Sequence, residues 1–448
     1  MRAAPAFIIA AFICGCSAGP APPDLRRLAS EATGVEGAIS FQVSGQPLDV
    51  TPSDPLASGL PLDRAVREAL RHDPRVHMAV ARARAALADA RQARLLPNPL
   101  LTVMVRFPDG GGADPMIEAD LMADVLSILT LPRRASAADR RVRAACAEAL
   151  ATVLDVLAEA RTQYAAAQAA EARLAVLEAR RKAAEELLTV TQGLFKAGEL
   201  GVADVLGAEA GVDDLEARQV EQRGAARSAR LTLARLIGQP SSLADWQMDP
   251  LPETGAAPAG SEQERAWVEV ALRRRPEVQA ARWALLAAGD EAAVAAAESF
   301  EGLDAGASTE REDGDWVTGP AVSVPLPLFD WGGARREKAR MMRVEARHRL
   351  TAARRQAVEE VRRALSDVAA TREALAIVRD RQVPRLRDRR QRVEALFKTG
   401  ATGITPVLES EQDLQAAVSA QVDLQEKAAA AIIRLHRAAG GPGVVPAQ

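Results

Sequence analysis

LFKAGELGVADVL, Leu194–Leu206, returns as LFKTGATGITPVL, Leu396–Leu408, 202 residues later. The same offset relates ALRHDPRV at Ala69–Val76 to ALRRRPEV at Ala271–Val278, Arg133-Arg134 to Arg335-Arg336, Gln219-Val220 to Gln421-Val422, and Gly238 to Gly440. One spacing held over most of the chain is a tandem duplication with almost no net insertion between the copies. Each copy is far longer than a solenoid repeat, so one large supersecondary unit is used twice. The quoted stretch itself reads as a helical hairpin. Gly198 and Gly400 fit the left-handed position that closes a helix. Asp204 falls in the first turns of the returning helix, and Thr405-Pro406 begins its counterpart, where proline is well placed.

Working outward, a proline-free run from Arg133 to Lys196 precedes the first hairpin. As one helix it would make a rod of roughly 95 Å. Its counterpart, Arg335 to Lys398, is interrupted at Pro384. Rods of that length are stable only when packed side by side. Upstream, Leu62–Leu96 has helical periodicity broken at Pro74, which predicts a short helix followed by a longer one. Leu100–Phe107 turns extended. Ile117, Ala119, Leu121, Ala123 and Val125 then alternate with Glu118, Asp120, Met122 and Asp124. Period two with one apolar and one acidic face predicts a strand with lipid or core on one side and water on the other. Repeat two has the same plan: Gly302–Thr309, a polar turn Glu310–Asp315, and Trp316–Phe329. These readings divide the chain into a leader at 1–15, an extended tether at 16–61, repeat one at 62–238, a linker at 239–263, repeat two at 264–440 and a tail at 441–448.

Composition agrees with long packed helices. Hydrophobic residues make up 48%, aromatics only 3% and charged residues 26%. A net charge of −3 excludes a generally basic nucleic-acid binder. The four histidines, His72, His77, His348 and His436, have no partner at metal-ligand spacing, so no metal site, cofactor or catalytic residue is expected. No phosphate-binding loop and no nucleophile elbow occurs. Beyond the leader no run of 18 apolar residues exists, so any membrane crossing must use strands.

The first residues carry one positive charge at Arg2, an apolar stretch Ala6–Ile13 and then Ile13-Cys14-Gly15-Cys16-Ser17, the layout of a secretory leader. Its end resembles a bacterial lipobox, which implies cleavage before Cys16 and acylation there. Ser17 in the following position favours the outer membrane. Cys146 is then the one remaining thiol, and it reads as a small buried hydrophobe.

The lipobox, the tandem helix–strand–strand–helix–helix repeat, the hairpin motif, LLPNPLL at Leu95–Leu101 and VSVPLPLFDWGGARR at Val322–Arg336 together resemble the TolC-type outer-membrane efflux proteins over residues 60–440. The resemblance implies a mainly α protein with a membrane β-barrel part: four strands per chain, twelve in a homotrimer, continued by a helical cylinder. It implies an export channel, not an enzyme, lipid-anchored in the outer membrane of a Gram-negative bacterium. The implied partners are outer-membrane lipid, a periplasmic adaptor (membrane fusion) protein and an inner-membrane transporter of the proton-driven RND class. Metal ions and drugs are the implied alternatives for cargo. The duct of a type I secretion system, and a structural periplasmic coiled-coil lipoprotein or adaptor, stand as rival readings.

By the same resemblance Glu409 and Asp204 narrow the closed channel. Lys196, Gly198, Gly201, Lys398, Gly400 and Gly403 sit at hairpin tips that meet the adaptor, and Glu118, Asp120 and Asp124 face the barrel lumen. The basic residue expected near Thr402 and a second acid at Pro406 are absent from this sequence.

Overall fold

A computed structural model describes residues 24–35, 59–107, 115–251, 261–298, 301–312 and 315–442. Cys14, Cys16 and residues 108–114 lie outside them. Among the described residues no helix is long and apolar enough to cross a membrane.

The duplication is visible element by element. Repeat one contains α2 (Leu62–His72), α3 (Pro74–Gln92), β1 (Leu100–Arg106), β2 (Met116–Asp124), α4 (Val125–Lys196) and α5 (Val202–Leu236). Repeat two contains α6 (Ser261–Arg274), α7 (Pro276–Ala297), β3 (Asp304–Glu312), β4 (Asp315–Ser323), α8 (Gly333–Ile377), α9 (Val383–Lys398) and α10 (Thr405–Ala439). Pro74 and Pro276 each open the second helix of their copy, since the missing N–H costs nothing in a first turn.

Four sequence expectations need correction. The rod α4 starts at Val125, not at Arg133, and spans 72 residues, about 108 Å. Val125 is therefore the first helical residue and not the last of the strand alternation, because Asp124 caps the helix by accepting from Ser127 N at 2.9 Å. The helix runs through Pro132, where the carbonyl of Ser127 is met by Arg134 Nη2 at 3.0 Å. The tether is not wholly extended either. α1 (Leu25–Thr33) forms in it, capped by Asp24, and buries Ala29 and Ala32 against α4. In repeat two the polar turn is narrower than its sequence suggests: Glu310–Glu312 belong to β3, and β4 ends at Ser323 instead of running to Phe329.

The break at Pro384 is a π-turn, Val378–Gln382, that separates α8 from α9. Its wider hydrogen-bond loop absorbs the donor the proline lacks.

Each returning helix has about half the length of its rod, so a second partner must cover the rest. α5 packs along the hairpin end of α4, while α3 and α7 pack along the strand end. The junction is tight in the same way in both copies. At Gly238, with φ of +80°, a Cβ would lie 2.4 Å from His72 Cβ. At Gly440, with φ of +105°, it would lie 3.2 Å from the backbone of Arg274. His72 and Arg274 are themselves equivalent positions. A core of Leu60, Val66, Leu70, Leu157, Tyr164, Ile237 and Trp246 fills the junction of repeat one. Tyr164 Oη donates to Leu60 O at 2.8 Å there.

The strands form one antiparallel sheet in the order β1-β2-β3-β4. The repeats meet between β2 and β3.

Candidate functional site: the two faces of the sheet and the two hairpin tips

Register sorts the strand residues into two faces, because directly paired residues point to the same side. One face carries Leu101, Val103 and Val105, then Ile117, Ala119 and Leu121, then Ala307 and Thr309, then Trp316, Thr318, Pro320 and Val322. The charged residue on it, Arg311, is paired with Trp316 at the loop end of the sheet. Leu101, Val103, Val105, Leu121, Trp316 and Val322 are exposed on the single chain.

The opposite face carries Thr102, Glu118, Asp120, Asp124, Asp304, Ser308 and Glu310. It thus gathers all three acidic residues named from β2, and adds Asp304 and Glu310. Glu118 stands directly opposite Glu310, and Asp124 directly opposite Asp304. Like charges in cross-strand positions are destabilising, and water is what makes such pairs tolerable. Arg106 Nη2 offsets one of them at 3.3 Å from Glu118. Asp124 is occupied differently, since its carboxylate caps α4 through Ser127. Sequence reading missed Glu310 and Asp304, the first because it was assigned to the turn. The signal lay in pairing across the duplication, which a single strand's alternation does not reveal.

The second candidate region is the hairpin end. Both turns close identically: Glu199 N donates to Leu194 O at 3.0 Å and Ala401 N to Leu396 O at 2.9 Å. Gly198 and Gly400 take the left-handed conformation this motif needs, with φ of +80° and +71°. Lys196, Gly198, Gly201, Lys398, Gly400 and Gly403 are all exposed there. Lys398 Nζ pairs back to Glu394 at 2.9 Å, which holds the Glu394 carboxyl below its ordinary range. Asp204 is engaged locally, accepting from Gly201 N at 3.0 Å as a helix cap. Glu409 is exposed and makes no ion pair among the described residues.

Equivalent side chains in the two hairpins have different surroundings. Phe397 and Ile404 are buried at 2% and 3% exposure, against 44% for Phe195 and 60% for Val202. Hairpin two tucks into hairpin one, with Phe397, Ile404 and Val407 against Leu187, Leu194 and Ala208. Higher up, Arg173 of α4 fastens α10 by donating to Asp423 at 2.8 Å and by pairing with Glu426.

Residues 267–441 match the family model described as outer membrane efflux protein. Repeat two is an outer membrane efflux protein domain.

Solved structures extend the likeness to the whole chain. The outer-membrane channel OprN superposes with a TM-score of 0.69 at 23% identity, covering 91% of this chain and 99% of its own. VceC of Vibrio cholerae gives 0.71 at 20% identity, covering 85% and 96%. The MtrE outer membrane channel of Neisseria gonorrhoeae, in its open state, gives 0.69 at 20%, covering 91% and 98%. No curated protein matches the chain by sequence. The efflux domain therefore sits in a chain whose entire fold, repeat one included, is that of the outer-membrane channels.

Among the described residues no cluster of His, Cys, Asp or Glu has the geometry to hold a metal ion.

Proposed function

We propose that this protein is the outer-membrane duct of a tripartite export pump, working as a passive homotrimer. The observation that carries this reading is the sheet. It has four strands, an apolar face, an acidic face, and two open edges at β1 and β4. In lipid an open edge leaves backbone donors and acceptors unmet at several kcal/mol each. One chain cannot close such a sheet on itself. Rotational symmetry can, by pairing β4 of one copy with β1 of the next; three copies give twelve strands, an even number suited to an outer-membrane barrel. The apolar face then meets lipid and the acidic face lines the lumen. The same assembly would cover side chains that one chain leaves bare, among them Leu326, Leu328 and Phe329, the last 99% exposed.

The rods continue the lumen into the periplasm, and their hairpin tips, Lys196–Gly201 and Lys398–Gly403, meet a periplasmic adaptor. An inner-membrane transporter of the proton-driven RND class supplies the energy, and metal ions or drugs are the cargo. Cys16, acylated, anchors the chain. Glu409 and Asp204 narrow the periplasmic end, where three exposed copies of Glu409 form an acidic ring and Asp204 steadies the turn beside it. The experiment is planar-bilayer recording on the purified protein. Discrete, cation-preferring conductance steps are expected; membranes that stay silent at protein levels giving full incorporation would refute a duct.

A further inference from the structure

Above the tip cluster, hairpins one and two do not close on each other completely. A cleft of about 620 Å³ remains between α4 and α5 on one side and α9 and α10 on the other. That volume is in the range of drug-sized ligand sites. Its walls are divided by chemistry. Leu187, Leu215, Phe397 and Val407 offer apolar surface, while Arg180 and Gln415 stand among the polar residues.

The charges around the cleft are nearly all matched. Arg218 pairs with Asp214 at 2.9 Å, Arg390 with Glu411 at 2.8 Å, and Lys398 with Glu394 at 2.9 Å. Glu186 lines the cleft from its exposed rim and makes no ion pair among the described residues. Arg180 is the inward exception. It makes no ion pair among the described residues, and its Nε is buried without a hydrogen-bond partner. Burial, with Arg218 adding repulsion against the attraction of Glu411 and Asp214, pulls it down to about 10. Gln415 is 5% exposed, and its Nε2 donates to Glu411 at 3.0 Å. Its Oε1 has no partner. The cleft therefore holds one cation with no direct ion-pair partner among the described residues and one buried acceptor beside an apolar wall.

We propose that this cleft is a binding site for an amphipathic organic monoanion: a carboxylate or sulfonate on Arg180, an apolar body against Leu187, Phe397 and Val407, and a hydroxyl or amide donor, where the ligand has one, on Gln415 Oε1. An anion supplies the acceptors a guanidinium fork lacks, and enclosure strengthens the contact by lowering the local dielectric. Because α4 and α10 both line the site, an occupant bridges the two hairpins and binds more weakly wherever they spread apart. The proposal stands on the cleft alone and does not depend on the duct reading.

The test is calorimetric titration of the full-length protein in lipid nanodiscs with 2-naphthoate, against empty nanodiscs and against 2-naphthylmethylammonium, a cation of similar shape. Saturable uptake of the naphthoate and not of the ammonium is expected. Arg180→Gln should weaken it at least about tenfold, the order expected for a lost charge-assisted contact, while Arg180→Lys should retain part of it. Ala184→Phe, which fills the cleft from α4, should abolish it while the elution volume in size exclusion stays that of the unsubstituted protein. No saturable binding, equal binding of the ammonium, or unchanged affinity in Arg180→Gln would overturn the proposal.

Discussion

At the scale of single residues, the contrast between Glu409 and Asp204 decides where a charge is free to act. Asp204 spends its carboxylate on a helix end. Glu409 makes no ion pair among the described residues, so three copies at a tapered end would set a local field, which low-dielectric walls focus. Glu409→Gln should lower the cation preference in single-channel recordings, and Glu409→Lys should reverse it; unchanged reversal potentials in both would place the constriction elsewhere. A second residue-scale expectation concerns pH. His436 of α10 stacks on Trp267 of α6 at 6.2 Å, and burial, then the charge of Arg161 on α4, hold it below its ordinary 6.5. Arg437 beside it is tied to Asp155 on α4 and Glu277 on α7 at 2.7 and 2.6 Å, so those carboxylates do not compensate an imidazolium. A depressed pKa means the folded state holds its proton less well than the unfolded chain. The contribution is complete above about 6.5 and is lost as pH falls through the lower folded value. The unfolding temperature should drop between pH 7.5 and 5, and His436→Gln should flatten that slope. Equal slopes would show that other groups carry the pH dependence.

At the scale of elements, the hairpins and rods were legible because their signals are local. Gly198 and Gly400 take a left-handed conformation that few residues supply, Pro74 fits only a helix's first turn, and the structure places all three where the sequence did. The strands were legible in β2, where Glu118 and Asp120 alternate with Ile117, Ala119 and Leu121. They were poorly legible in β3 and β4, whose ends depend on pairing with β2 and on no pattern of their own. The helix α1 escaped for a similar reason: its stability comes from burying Ala29 and Ala32 on α4, a contact no local pattern announces. The asymmetry of the tips, Phe195 exposed and Phe397 buried, was invisible because the two sequences around them are nearly the same. The face assignment can be tested on one strand. Leu121→Arg should cost about 2–4 kcal/mol near the bilayer midplane, read as loss of assembled protein in the membrane. Its neighbour Asp120→Arg should assemble normally and shift ion selectivity. Equal tolerance of both would reject a lipid-facing Leu121.

At the scale of the whole molecule, duplication explains why one chain carries four strands and two hairpins. The efflux-domain match falls on repeat two alone, while repeat one keeps the same order of elements, the same turn hydrogen bonds and the same close approach at Gly238. Divergence between the copies leaves them unequal: hairpin two is packed inside, and hairpin one is left with apolar surface outside. Symmetric closure is the claim on which the duct reading depends, and it can be read covalently. In a Cys146→Ala background, Val103→Cys on the β1 edge is combined in turn with Trp316→Cys, Thr318→Cys and Pro320→Cys on the β4 edge, all on the apolar face. The protein is oxidised in the membrane and separated on a non-reducing gel. In at least one register the account expects cross-linked species of two and three chains, with none larger, because the third bond closes the ring. Monomer alone in every register, or a ladder that continues past three, would contradict it.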